Sequence, residues 1–137
     1  MIPGMELVAI GTVRSPLRDR AQAPKQGDEG APEAWLELDA RWAPAVDGLA
    51  TGDELLVLTW LDRARRDVVR VHPRGDLAAP ETGVFATRSP DRPNPIGLHR
   101  VRVLELDGVR LRVTGLEALD GTPVVDLKPV LGPVGER

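Results

Sequence analysis

Val101-Arg102-Val103-Leu104-Glu105-Leu106-Asp107-Gly108-Val109-Arg110-Leu111-Arg112-Val113 is the stretch whose periodicity decides the fold. Val109, Leu111 and Val113 alternate with Arg110 and Arg112, the period of a strand with one buried and one wet face. Asp107-Gly108 separates this run from Val101–Leu106, and that dipeptide predicts a tight type I′ hairpin turn. The same signature recurs outward along the chain. Leu7 to Val13, Trp35 to Leu38, Glu54 to Leu61, Asp67 to Val71 and Val84 to Thr87 also read as strands. No window sustains a 3.6-residue period over three turns, and only Ala43 to Leu49 has room for a helical turn. Many short strands without intervening helices predict an all-β barrel or sandwich with at most one or two short helical turns.

The remaining bounds follow from size and composition. A chain of 137 residues with 42% hydrophobic and 28% charged residues is expected to fold as one domain, residues 1–137, around one core. No apolar run approaches the roughly 20 residues of a membrane helix. Met1 to Val13 lacks the basic-then-apolar order of a signal peptide, so the expected location is cytoplasmic. The absence of cysteine removes disulfides, thiolate catalysis and Cys-type metal sites from consideration. Net charge is −3, yet Arg63 to Arg102 holds nine Arg, no Lys and four acids. A basic stretch on an acidic body predicts one anionic partner at one face; the alternative is that these Arg pair with acids on neighbouring strands.

Several chemistries lack their residues. There is no G-x-G-x-x-G and no G-x-x-x-x-G-K-[ST], so both glycine-rich phosphate cradles are missing. His72 and His99 are the only histidines and have no fixed-spacing partner, which gives no support to a metal site. Ser15 and Ser89 are each followed by Pro and sit in no nucleophile elbow. Four aromatic residues, Trp35, Trp42, Trp60 and Phe85, are too few for a single-stranded RNA stacking platform.

Four segments read as loops: Ala23–Gly27, Asp62–Arg66, Arg88–Leu98 and Asp120–Pro129. In the third, Pro90, Pro93 and Pro95 fix three φ angles, so Arg88, Asp91, Arg92 and Asn94 ride on a stiff loop with little ordering cost on binding. The stretch Gly83-Val84-Phe85-Ala86-Thr87-Arg88-Ser89-Pro90-Asp91-Arg92-Pro93-Asn94-Pro95-Ile96-Gly97-Leu98 resembles the signature of the TsaA/TrmO-like family. Further elements of that family occur in order: Ile10–Pro16, Pro24-Lys25-Gln26, Val71-His72-Pro73-Arg74, Asp120-Gly121-Thr122-Pro123 and Asp126-Leu127-Lys128-Pro129. The resemblance runs from about Leu7 to Leu131.

It implies a single antiparallel β-barrel that binds S-adenosylmethionine without a Rossmann fold, forms a homodimer with the cofactor near the subunit interface, and methylates the exocyclic nitrogen of threonylcarbamoyl-adenosine beside the tRNA anticodon. It carries cofactor-binding roles onto Pro24, Lys25, Gln26, Asp62, Arg63, Arg88, Leu98, Asp120, Gly121 and Thr122, with Leu98 against the adenine. Lys25 stands where Arg is usual, losing a planar fork of donors, and Asp62 stands where many members have His. Some members continue into a C-terminal lobe, whereas this sequence stops just past the matched region. Asp120 and Asp126 are the candidate catalytic carboxylates, either to face the sulfonium or to take the proton leaving the amine. The competing reading has Asp120 capping a turn and Asp126 pairing with Lys128 or an Arg. A non-catalytic cofactor-binding or RNA-binding module, or a methyltransferase for another small acceptor, also suits these residues.

Overall fold

The computed structural model describes residues 4–19 and 31–132. Strands β1 (Gly11–Arg14), β2 (Ala34–Leu38), β3 (Glu54–Trp60), β6 (Ile96–Asp107), β7 (Arg110–Thr114) and β8 (Pro123–Pro129) close into a six-stranded barrel in the order β1-β2-β7-β6-β3-β8. Every pairing is antiparallel, and β8 joins β1 to β3 to complete the circle. Two short strands, β4 (Arg70–Val71) and β5 (Thr82–Gly83), pair separately. The only α-helix among the described residues is the single turn α1 (Ala43–Val46), inside the window left for it; short 3-10 turns occupy Ala40–Trp42, Pro73–Gly75 and Val84–Ala86. None of these helices is long and apolar enough to cross a membrane.

Alternation builds the core. Leu55 and Val57 of β3, Val101 and Val103 of β6, Leu111 and Val113 of β7, Leu36 of β2 and Val124 of β8 all point inward and are buried. Each such side chain contributes on the order of 1.5–3 kcal/mol of transfer free energy. The outward residues of the same strands are charged and paired across them: Arg112 lies between Glu33 and Glu105, and Glu54 takes both Arg100 and Arg102. The Arg100 hydrogen bond and charge hold the Glu54 carboxyl below its ordinary value.

Several sequence expectations need correction: of Asp67 to Val71 only Arg70–Val71 is strand, and the Arg88–Leu98 loop gives way to β6 at Ile96. Val84 to Thr87 forms a 3-10 turn rather than a strand, closed by the Thr87 N–H on the Val84 carbonyl. Asp120 to Pro129, read as a loop, contains β8 from Pro123 onward. Proline at the first and last positions gave it a loop's composition, although a first-residue proline leaves a ladder intact. The hairpin turn is also shifted by one residue. Asp107 still pairs with Arg110, so the two-residue loop is Gly108-Val109. Gly108 has φ 61° and Val109 has no positive φ, which matches type II′ with glycine leading rather than type I′.

Toward one end the inner face turns polar. Thr59 of β3 and His99 of β6 are buried at the end of the barrel where β3 finishes and β6 begins. Gly97, the partner of Thr59 in the ladder, makes this possible. A Cβ on it would stand 2.4 Å from Thr59 Oγ1 and 2.7 Å from His99 Nε2. Gly97→Ala is therefore expected to destabilise the fold by about 1–3 kcal/mol through overpacking, read as a lower midpoint in urea. An unchanged midpoint would show that the Thr59–His99 contact yields without cost.

Candidate functional site

A cavity of about 820 Å³ opens at that same end of the barrel. One wall is the segment after β3, where Asp62 and Arg63 sit; the opposite wall is the proline-rich segment running into β6, with Arg88 and Leu98. Arg74 and Thr122 reach it from two further loops, and His99 and Glu117 line it as well. A second recess, of about 300 Å³, lies over β1 and β2 at Gly11, Thr12, Glu37 and Asp39 and gathers none of the predicted site residues.

The two walls are locked to each other. The Arg65 N–H donates to Asp91 Oδ1 at 2.9 Å, and the Arg92 N–H donates to the Arg65 carbonyl at 3.0 Å. Arg66 donates from Nε to the Pro93 carbonyl at 2.8 Å and from Nη2 to Asn94 Oδ1 at 3.0 Å, while its guanidinium lies 5.1 Å from the Trp60 ring centroid. Arg92 turns back on its own loop and donates to the Val84 and Thr87 carbonyls. Arg65 also grips Asp67 with two hydrogen bonds of 3.1 Å, which raises the guanidinium and lowers the carboxyl relative to their ordinary values. The basic stretch thus divides by role. Arg65, Arg66, Arg70, Arg100 and Arg102 brace the structure, Arg63, Arg74 and Arg88 stand at the cavity, and Arg92 does both. Arg74 has φ 56°, an uncommon backbone for a non-glycine residue.

The site residues expected from the sequence fall into three groups. Asp62, Arg63, Arg88, Leu98 and Thr122 line the cavity. Arg63 Nη1 donates to the Arg18 carbonyl and Arg88 Nη2 to the Leu98 carbonyl at 3.1 Å, so both guanidinium groups are oriented. Pro24, Lys25 and Gln26 lie outside the described residues. Asp120, Gly121 and Asp126 are not part of the cavity wall. Asp120 accepts the Ser15 N–H at 3.0 Å and pairs with Arg18 at 3.3 Å, and the Gly121 N–H donates to the Val13 carbonyl. These two residues tie the turn before β8 to the end of β1. Asp126 lies on β8 beside Leu58, accepts the adjoining Leu127 N–H and pairs with Lys128 at 3.2 Å.

Sequence reading passed over three residues that the fold brings together. Thr59 Oγ1 is 2.7 Å from His99 Nε2, and His99 Nδ1 is 2.7 Å from Glu117 Oε1. An ionised carboxylate only accepts, so Nδ1–H donates to Glu117, and in the neutral ring Nε2 then accepts the Thr59 hydroxyl proton. The one available signal was a histidine at an inward position between Gly97 and Val101. No cluster of three or more metal-binding side chains exists among the described residues.

The sequence profile of the tRNA-methyltransferase O N-terminal domain matches residues 12–134. The chain belongs to that family. Among its relatives, a protein of Methanothermobacter thermautotrophicus named a probable S-adenosyl-L-methionine-binding protein is 48% identical over 120 residues, covering 88% of this chain and 85% of that protein. An Archaeoglobus fulgidus protein with the same name is 47% identical over 125 residues, which are 91% of this chain and only 34% of that relative. The crystal structure of TrmO from Pseudomonas aeruginosa superposes with a TM-score of 0.75 at 30% identity, covering 96% of this chain and 56% of that one. This family member therefore spans about a third of one relative and just over half of the solved protein.

The geometry separates the two aspartates by what they hold. Asp120→Ala leaves the largely buried Ser15 N–H without its acceptor and is expected to cost about 1–3 kcal/mol, while Asp126→Ala, an exposed pair, is expected to stay within about 0.5 kcal/mol of the parent protein. Chemical denaturation of both variants checks this, and equal stabilities would contradict the anchoring role of Asp120.

Proposed function

We propose that this chain is an S-adenosylmethionine-dependent methyltransferase acting on the exocyclic nitrogen of threonylcarbamoyl-adenosine beside the tRNA anticodon. The observation that carries the reading is the coincidence of the family's signature segment with the wall of the 820 Å³ cavity. That volume suits a nucleoside-sized ligand, since small-molecule sites run from about 300 to 1,000 Å³.

The residues present fit the cofactor's chemistry. Leu98, 40% exposed, and Ile96, 43% exposed, offer an apolar surface for an adenine ring. Asp62 suits the ammonium of the amino-acid tail, and Arg63 and Arg88 suit its carboxylate, Arg88 in a planar, two-pronged manner. Pro24, Lys25, Gln26 and the Asp120-Gly121-Thr122 turn belong to the same proposed set, the turn by shaping the floor next to Thr122. When bound, the cofactor supplies a methyl group on a positively charged sulfur. The chain's own task is to hold two reactants in line, and positioning alone lowers a barrier by about 7–11 kcal/mol. No metal or nucleophilic side chain is needed for that. A homodimer with the cofactor near the interface, in the cytoplasm, completes the proposal.

Labelled S-adenosylmethionine and total tRNA from cells lacking this protein test the reading. Label is expected in tRNA at threonylcarbamoyl-adenosine. Cofactor binding with no labelled RNA would instead favour a sensor. Binding of tRNA is expected to weaken with salt, by a logarithmic slope of about −0.7 to −0.9 per phosphate neutralised. A salt-independent affinity would contradict use of the arginine rim, and monomeric behaviour at micromolar concentration would remove the interface site.

A further inference from the structure

Glu117 occupies an unusual position. Its side chain is 14% exposed and lines the cavity; Oε1 is fixed by His99, and Oε2 is buried with no hydrogen-bond partner among the described residues. A buried carboxylate oxygen without a donor is costly, on the order of 1–3 kcal/mol or more for a charged group. Such a cost persists where a ligand supplies the missing partner or where the group has chemical work. The group is also held in place. Glu117 is fixed by His99, His99 is fixed by Thr59, and Gly97 leaves the space in which the last two meet.

The two aspartates expected to take a proton do not meet that need. Asp120 is spent on Ser15 and Arg18, and Asp126 on Leu127 and Lys128, both off the cavity wall. Asp62 and Asp91 do line the cavity, but Asp91 is engaged by the Arg65 N–H. Glu117 differs from them in being both buried and held by a histidine.

We propose that Glu117 is a catalytic residue of this cavity, its Oε2 accepting the proton of the acceptor nitrogen, with His99 and Thr59 as positioning residues. The inference rests on the methyl-transfer reading above and specifies its base. An amine nitrogen conjugated to a purine ring or a carbonyl has a delocalised lone pair and is a weak nucleophile until its N–H proton is drawn away. The step balances as follows: the nitrogen forms its bond to the methyl carbon, the carbon–sulfur bond breaks with its electron pair left on sulfur, and the N–H proton passes to Oε2. The carboxylate becomes a carboxylic acid and the sulfonium a neutral thioether. His99 keeps Oε1 occupied throughout, so Oε2 is the oxygen left to receive the proton.

Glu117→Gln tests this with little change of shape. Single-turnover methyl transfer is expected to fall about 10²- to 10⁴-fold, the usual range for loss of a general base, while cofactor affinity measured by calorimetry stays within about threefold, well short of the tenfold that 1.4 kcal/mol represents. A readout independent of turnover comes from the imidazole nitrogens. The chain has two histidines, so ring ¹⁵N spectra isolate His99. With S-adenosylhomocysteine bound, adding the acceptor nucleoside is expected to shift the His99 Nδ1 resonance in the wild type and not in Glu117→Gln. If Glu117→Gln fails to fold, Glu117→Ala with added formate takes its place, and formate is expected to restore the rate. Wild-type rates in Glu117→Gln, a loss of cofactor affinity matching the loss of rate, an unmoved His99 resonance, or no rescue by formate would each overturn the proposal and leave the methyltransferase reading standing. A wild-type protein that binds the cofactor and methylates no acceptor would overturn that reading, and this proposal with it.

Discussion

Strand β8 hydrogen-bonds to β1 on one side and to β3 on the other, and without that double pairing the sheet has two open edges. Closure removes those edges, which are otherwise available to other chains. It also fixes the segment just before β8, residues 117–122, over one end of the barrel. Asp120 and Gly121 clip that segment to the end of β1, and Glu117 is thereby set against His99. A register shift between Leu58 and Thr59 falls at the same end of the β3–β8 ladder. Irregularities of this kind re-aim side chains beside active sites. Here the ladder ends with Thr59 facing inward, buried against His99.

Charge in this molecule follows two rules at once. Along the barrel wall, Arg100, Arg102, Arg110 and Arg112 stand opposite acids on adjoining strands, the arrangement that lets outward faces carry charge without long-range repulsion. Exposed pairs of this kind contribute at most about 1 kcal/mol each. At the cavity mouth the arginines instead satisfy backbone carbonyls and each other's loops, which costs little flexibility because Pro90, Pro93 and Pro95 have already restricted the chain. A preorganised mouth loses less entropy on binding than a mobile one.

The β6–β7 hairpin was legible in the sequence because one face is core and the other solvent, so the period of two is unbroken from Val101 to Val113 apart from Leu104, where the register shifts. β8 was not legible: Val124 alone is fully buried, and two prolines bracket it. Among site residues, Asp62, Arg63, Arg88, Leu98 and Thr122 carried their signal in contiguous motifs. Asp91 and Asn94 shared that motif and proved to tie the loop to the Arg65-Arg66 segment, while the Arg92 side chain braces it from within. The His99–Glu117–Thr59 chain left no motif at all. Its members are separated by 18 and 40 positions, and only the pairing of β3 with β6 and the return of the chain toward β8 bring them together.

A crystal structure of this protein with S-adenosylhomocysteine bound tests most directly the claim that the barrel's polar end is the reaction site. The account predicts density for the ligand between the Asp62-Arg63 segment and Arg88 through Leu98, with its sulfur turned toward Glu117. Ligand density over β1 and β2, beside Asp126, or with the sulfur turned away from Glu117 would contradict it.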